Sequence, residues 1–379
     1  MKYWKLLLLC LLSHLVWAQP VDQRATRKTQ NLLVNLHTIA QRGFMFGHQD
    51  DLAYGVGWKA EEGRSDVKET AGSYPAVLGW DVGSRLNAES NIDEVRFQNM
   101  KSWMVDAYKL GMINTLSWHL DNLTTGSNSW DKTPSVQDIL PGGDKHSEFL
   151  EQLDLLAEFL DDVKIWFTKV PIVFRPWHEH NGDWFWWGRG NCSEENYIAL
   201  YRFTVDYLKN EKDIHHLLFA FSPDRSRLNM DTLARENYLY GYPGDDYVDI
   251  IGLDNYGDVG RTGGGNNPDQ QRTYFVNSLK LITEIAEEKG KVAALSETGL
   301  EGVTNPKWFT DIILNPINSN DQEIDIAWVL VWRNANTKHH YAPYPGHTSV
   351  ADFQQFEKDE RTFFQKDMRN PYKKGKALK

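Results

Sequence analysis

Eight short runs of apolar, largely β-branched residues recur along the chain, each followed by a loop and an amphipathic stretch. They cover residues 44–47, 76–80, 112–118, 171–176, 217–222, 248–253, 292–296 and 326–332. Near-continuous apolar runs separated by helical patterns mark parallel strands buried on both faces. Eight of them predict an α/β protein of the closed (β/α)8 TIM-barrel type rather than an open doubly wound sheet. No glycine-rich dinucleotide turn follows the first run, which counts against the open sheet. Helices are expected at 93–110, 147–166, 193–209, 272–289 and 352–368. The first would be capped by Asn91 or Asp93 and stopped by Gly111, and the fourth stopped by Gly290.

Length and composition narrow this picture. The chain has 379 residues, no low-complexity linker and no second compositional regime. A single domain is expected over 19–379, within the usual range for a barrel with loop insertions. Residues 1–18 read as a secretory signal peptide. Lys2 and Lys5 precede an apolar stretch from Leu6 to Leu12, and Val16-Trp17-Ala18 offers a cleavage site before Gln19. Export to the periplasm or the extracellular space follows from that reading. No later segment is apolar for long enough to predict a membrane span. The formal charge is −11, and losing two lysines with the leader takes it to −13. That acidity disfavours nucleic acid and anionic membranes as partners. Cys192 would be the one thiol left, too few for an internal disulfide or a cysteine-rich metal site.

The candidate chemistry lies where strands run into loops. In a barrel of this type the C-terminal ends of the strands build the active site. Those ends read His48-Gln49-Asp50, Trp80-Asp81, Trp118-His119, Trp177-His178-Glu179-His180-Asn181, Pro223-Asp224, Asp254-Asn255-Tyr256, Glu297 and Trp332-Arg333. Apolar strands that each end in a polar or aromatic group are hard to explain by packing. Glu179 and Glu297 stand out as glutamates at the ends of strands four and seven. Glycoside hydrolysis needs one carboxylic acid to protonate the leaving oxygen and a second carboxylate to attack or stabilise the oxocarbenium-like centre. Arg175 and Arg333 would hold a carboxylate charged or contact sugar hydroxyls.

Aromatic residues crowd the same rim. The chain has 15 tryptophans, and four aromatics in a row, Trp184 to Trp187, follow Glu179. Sugar C–H faces pack on such rings, so at least one is expected to face sugar, and Trp332 is a further candidate platform. Other signals are weaker. His178-Glu179-His180 lacks the His-Glu-x-x-His spacing of zinc proteases, so neither a metal nor another cofactor is expected. Gly263-Gly264-Gly265 has no Gly-Lys-Ser/Thr after it and reads as a rim loop. Asp50-Asp51 and Asp161-Asp162 read as solvated charges, and Lys373–Lys376 as a solvated tail.

The blocks Arg175-Pro176-Trp177-His178-Glu179-His180-Asn181-Gly182 and Trp184-Phe185-Trp186-Trp187-Gly188 resemble glycoside hydrolase family 26, chiefly endo-β-1,4-mannanases. Phe46-Gly47-His48-Gln49, Ser117-Trp118-His119, Leu295-Ser296-Glu297-Thr298-Gly299 and Trp332-Arg333 fit the same family in the same order. The resemblance implies a (β/α)8 barrel and retaining chemistry, with β-mannan or manno-oligosaccharides as substrate. It makes Glu179 the acid/base and Glu297 the nucleophile. His178 stands where many related barrel glycosidases carry Asn. His119, Trp184, Tyr256, Trp332 and Arg333 would surround the cleaved sugar. A β-glycanase acting on β-1,3-xylan or mixed-linkage β-glucan, and a carbohydrate-binding protein without catalysis, are the alternatives.

Overall fold

The computed structural model describes residues 19–262 and 266–379; the expected signal peptide lies outside them. Eight parallel strands run β1 (Phe44–Gln49), β2 (Val77–Asp81), β3 (Ile113–Trp118), β4 (Ile172–Pro176), β5 (Leu217–Phe221), β6 (Ile250–Asn255), β7 (Val292–Thr298) and β8 (Ile326–Val331). Neighbours in sequence are neighbours in the sheet, and β8 returns to pair with β1, Met45 opposite Trp328 and His48 opposite Val331. The barrel is closed, and every residue of these strands is buried. That double burial is why the runs are apolar throughout instead of alternating.

Alternation reappears when the two faces are followed separately. Phe44 and Phe46, Leu116 and Trp118, and Phe219 and Phe221 pack outward with the helices. Met45, Ile113, Val173, Leu218, Ile250 and Val292 form a second, inner cluster near the starts of the strands. Two to four residues further on, the inward positions are Gln49, Ser117, Arg175, Ser222 and Asp254. The barrel interior therefore grades from an apolar floor to a polar mouth.

The floor is sealed by a helix that precedes the barrel, α1 (Arg27–Ala40), whose Leu32, Leu33, Leu36 and Ile39 join the inner cluster. Both described ends of the chain are pinned at this closed end. The Val21 amide donates to Asp249, and Asn35 donates to the carbonyls of Pro371 and Lys373 while accepting from the Gly375 amide. The tail expected to be solvated is thus docked through its backbone.

Helices α2 (Phe97–Lys109), α3 (His146–Asp162), α4 (Glu194–Asp206), α5 (Pro268–Lys289) and α6 (Val350–Glu357) lie on the outside. Four expected boundaries shift. α2 starts at Phe97 because the Asn91 side chain ties the amides of Asp93 and Val95 into a turn, with Glu94 at φ +59°. α3 ends at Asp162, and the chain then forms a two-stranded hairpin with Trp166 and Phe167 fully in solvent at its tip. α6 stops at Glu357, and Thr362–Phe363 pairs beside β1. α5 begins four residues early on an Asn267/Gln270 capping box with Pro268 at its first turn.

Candidate active site

Glu297 owes its aim to an irregularity in the sheet. Leu253 pairs with Leu295, but the next residue, Asp254, pairs with Glu297. Ser296 is the extra residue of a β-bulge. Strict alternation would send either Ser296 or Glu297 outward. With the bulge both reach the interior, Ser296 donating to Asp254 (2.8 Å) and Glu297 accepting from Arg175. Arg175, inward-facing on β4, spans two carboxylates: one nitrogen donates to Asp254 (2.6 Å) and the other to Glu297 Oε2 (2.5 Å). The Tyr256 hydroxyl donates to the remaining Glu297 oxygen, Oε1, at 2.8 Å. Burial and the Glu297 charge push the Tyr256 phenol well above its ordinary range, so it stays a donor. A buried carboxylate that accepts from an arginine and a phenol is fixed in place, with both oxygens engaged.

Glu179 is placed by a strained turn. Trp177 and Glu179 both occupy the left-handed region, at φ +53° each. For bulky residues this costs on the order of 1–2 kcal/mol apiece and persists only where the surroundings dictate it. The surroundings here are aromatic. Trp177 donates to Thr204 Oγ1 (3.1 Å), its carbonyl accepts from the Tyr197 hydroxyl (3.0 Å), and its ring packs on Trp118, Trp186 and Trp187. Trp187 donates to the His178 carbonyl (2.9 Å), Trp186 to the Leu120 carbonyl (2.9 Å), and the Glu179 amide to Ser222 (2.8 Å). Phe185, Trp186 and Trp187 are therefore a buried clamp on the turn that carries Glu179. Trp184 is the member of the run that reaches the site. Its Nε1 donates to Glu179 Oε2 (2.7 Å), and Arg227 covers its ring at 5.2 Å. Gly182 makes room for that ring, which a Cβ would meet at 2.2 Å.

The two glutamates have different surroundings. Among the described residues, no cation is bonded to Glu179. Burial, then the charges of Asp224, Glu297 and Asp254, push its carboxyl well above the usual range. Glu297 has Arg175. One carboxyl pushed towards its protonated form beside one paired with an arginine is an asymmetry that acid-assisted substitution at an acetal can use.

His119 and His178 meet edge to face, ring centres 4.5 Å apart. Burial, Arg175 and His119 hold His178 well below its ordinary value, so it is neutral. His119 donates from Nδ1 to Asp81 at 2.7 Å, and Trp130 stacks on it at 5.3 Å. Trp130, half-exposed at the rim, is a functional candidate that sequence reasoning missed, since nothing in Ser129-Trp130-Asp131 distinguishes it from a surface residue. Asp254 was visible only as a strand end.

Arg333 stands further along the rim. It pairs with Asp93 (2.9 Å) and approaches the Tyr54 hydroxyl (3.4 Å). With Trp58, Lys59 and Asn336 these residues line a cavity of about 710 Å³. Trp332, partly buried, precedes Arg333 and packs on the outer core cluster. Asp50 and Asp51, expected in solvent, are buried. The loop after β1 folds back into the mouth with Asp50 at φ +54°, accepting from Tyr54 (2.7 Å), while Asp51 pairs with His48 (2.7 Å). Among the described residues, no cluster of three or more His, Cys, Asp or Glu is arranged to hold a metal ion.

A closed barrel with a buried glutamate just after strand four and an arginine-held glutamate on strand seven has the paired carboxylates of a glycoside hydrolase. The sequence profile of glycosyl hydrolase family 26 matches residues 21–313, and the chain belongs to that family. It is 32% identical to a mannan endo-1,4-beta-mannosidase of Bifidobacterium adolescentis over 88% of its own length, although it spans only 34% of that longer protein. Identity to a mannan endo-1,4-beta-mannosidase of Bacillus subtilis is 28%, over 88% of this chain and 90% of the relative. The solved structure of a GH26 beta-mannanase from Bacteroides ovatus superposes with a TM-score of 0.85 at 39% identity, covering 92% of this chain and 98% of that one.

Proposed function

We propose that the protein hydrolyses β-1,4-linked mannan, glucomannan or galactomannan with retention of configuration. The observation that carries the reading is the asymmetric pair. Glu297 is held by Arg175 and Tyr256, and Glu179 is pushed towards its protonated form. Glu297 attacks the anomeric carbon while Glu179 protonates the departing oxygen. Glu179, now ionised, then takes a proton from the water that releases the sugar. That the Bifidobacterium and Bacillus relatives are mannan endo-1,4-beta-mannosidases supports mannan as the substrate. The cavity beside Arg333 gives room for sugar units beyond the reacting one. Export through residues 1–18 suits an enzyme whose substrate is a polymer, and N-terminal sequencing of exported protein should begin at Gln19.

Reducing-sugar release from mannan, glucomannan, β-1,3-xylan and lichenan tests the substrate. Activity on the two mannans at least tenfold above the others is expected. Preference for xylan or lichenan would overturn the mannan reading, and binding without turnover would overturn the enzyme reading.

A further inference from the structure

Asp81, the last residue of β2, is buried in the mouth of the barrel, and the proposed chemistry leaves it without a role. Its carboxylate is saturated with donors. Oδ2 accepts from His119 Nδ1 (2.7 Å) and Ser117 Oγ (2.5 Å), and Oδ1 from the Gly83 amide (2.5 Å). The arrangement is exacting: a Cβ on Gly83 would lie 2.2 Å from Asp81 Oδ1 and 2.9 Å from His119 Cβ. The His119 ring is also held on its faces and edges, stacked by Trp130 and met edgewise by His178 and Phe185. With Nδ1 engaged, Nε2 is the ring nitrogen left, and the side-chain hydrogen bond that His119 makes among the described residues is the one from Nδ1.

We propose that Asp81 is a positioning residue of the reaction. By accepting from Nδ1–H it fixes the ring orientation of His119 and keeps Nε2 turned to a hydroxyl of the sugar being cleaved. The assignment rests on the glycanase reading above. A carboxylate behind an imidazole selects one tautomer and favours the cation, and donors to hydroxyls at the reacting sugar act most strongly in the transition state. The groups facing His119 are consistent with a cation there. Asp81 and Glu297 favour it, Arg175 oppose it, His178 is neutral, and Asp93 lies within electrostatic range. Burial alone would lower the His119 value, but the Asp81 charge and hydrogen bond outweigh it and leave the imidazole above its ordinary range.

Three measurements on the full-length mature enzyme test this. In ¹⁵N-labelled wild type His119 Nδ1 should resonate as protonated across the pH range of activity, and in Asp81→Asn the ring should titrate at lower pH. With mannotetraose, Asp81→Asn should lose on the order of 100-fold in kcat/KM, mostly in kcat. The double variant Asp81→Asn/His119→Gln should be no slower than His119→Gln alone, because Asp81 acts through His119. An unprotonated His119 Nδ1 in wild type, or losses that multiply in the double variant, would overturn the assignment. If Asp81→Asn fails to fold, Ser117→Ala removes one donor to Asp81 and should move kcat in the same direction by a smaller factor, while an unchanged kcat would count against the proposal. Wild type inactive on mannan would instead refute the substrate reading, and the His119 spectrum is readable either way.

Discussion

Replacing Glu179 with Gln isolates the proton that the leaving group needs. The amide oxygen can still accept from Trp184 Nε1, now 2.7 Å from Oε2, and the turn held at φ +53° is untouched. What disappears is the acid, whose proton is retained by burial and by Asp224, Glu297 and Asp254. A positioned general acid contributes about 10²–10⁴-fold, or about 3–5.5 kcal/mol of barrel-mouth catalysis. Hydrolysis of mannotetraose, whose leaving group is a sugar hydroxyl, should fall by that factor. An aryl mannobioside with a nitrophenolate-type leaving group needs no protonation, so its glycosyl-enzyme should form at near wild-type rate. The intermediate should accumulate as a stopped-flow burst, and azide should speed turnover by attacking it without a base. Glu179→Ala would add the cost of leaving the Trp184 N–H without its acceptor, about 1–3 kcal/mol in stability, which makes it the less clean variant. Equal losses on both substrates, with no burst and no azide effect, would refute the acid/base role.

Glu297→Ala should lose several orders of magnitude on both substrates, and NMR of the first wild-type product should show the β-anomer; an α-anomer would sink the two-step mechanism. Asp224→Asn should move the alkaline limb of kcat/KM towards lower pH. The acid is active while protonated, and removing a negative neighbour that raises its pKa lowers it, so an unmoved limb would mean that Glu179 does not set that limb. Trp187→Phe removes the bond to the His178 carbonyl and leaves it buried, so urea denaturation should show a loss of about 2–4 kcal/mol together with reduced kcat. Trp332→Ala should lower kcat/KM about tenfold from lost stacking and positioning; unchanged kinetics with lower stability would make it a core residue.

The barrel was legible because its strands are buried on both faces, which writes them as unbroken apolar runs. The two glutamates were legible because a charged residue directly after such a run has no packing explanation. Other features left no trace of their own. The bulge at Ser296 decides where Glu297 points, yet Leu295-Ser296-Glu297-Thr298 looks like any strand end, and pairing register is a property of two strands. The aromatic run after Glu179 was ambiguous in principle, since a sugar platform and a clamp on a strained turn both call for large rings with N–H donors. Asp50 and Asp51 misled because acidic pairs are usually solvated, and only the fold of the loop supplies their partners Tyr54 and His48. The hairpin after α3 was hidden by Ile165 and Trp166, whose spacing continues the apolar stripe of the helix. α1 was passed over although Leu32, Leu33, Leu36 and Ile39 have helical spacing, because a helix before the first strand belongs to no βα unit.

The sealed floor of the barrel also gives the molecule a front and a back. Residues 19–26 and the last residues of the chain leave from the end that α1 plugs, while Glu179 and Glu297 open at the other. Anything attached through either terminus, whether a tether, a second module or a purification handle, starts on the far side of the barrel from the cleft. A polymer can then approach the mouth of an immobilised enzyme without meeting its attachment.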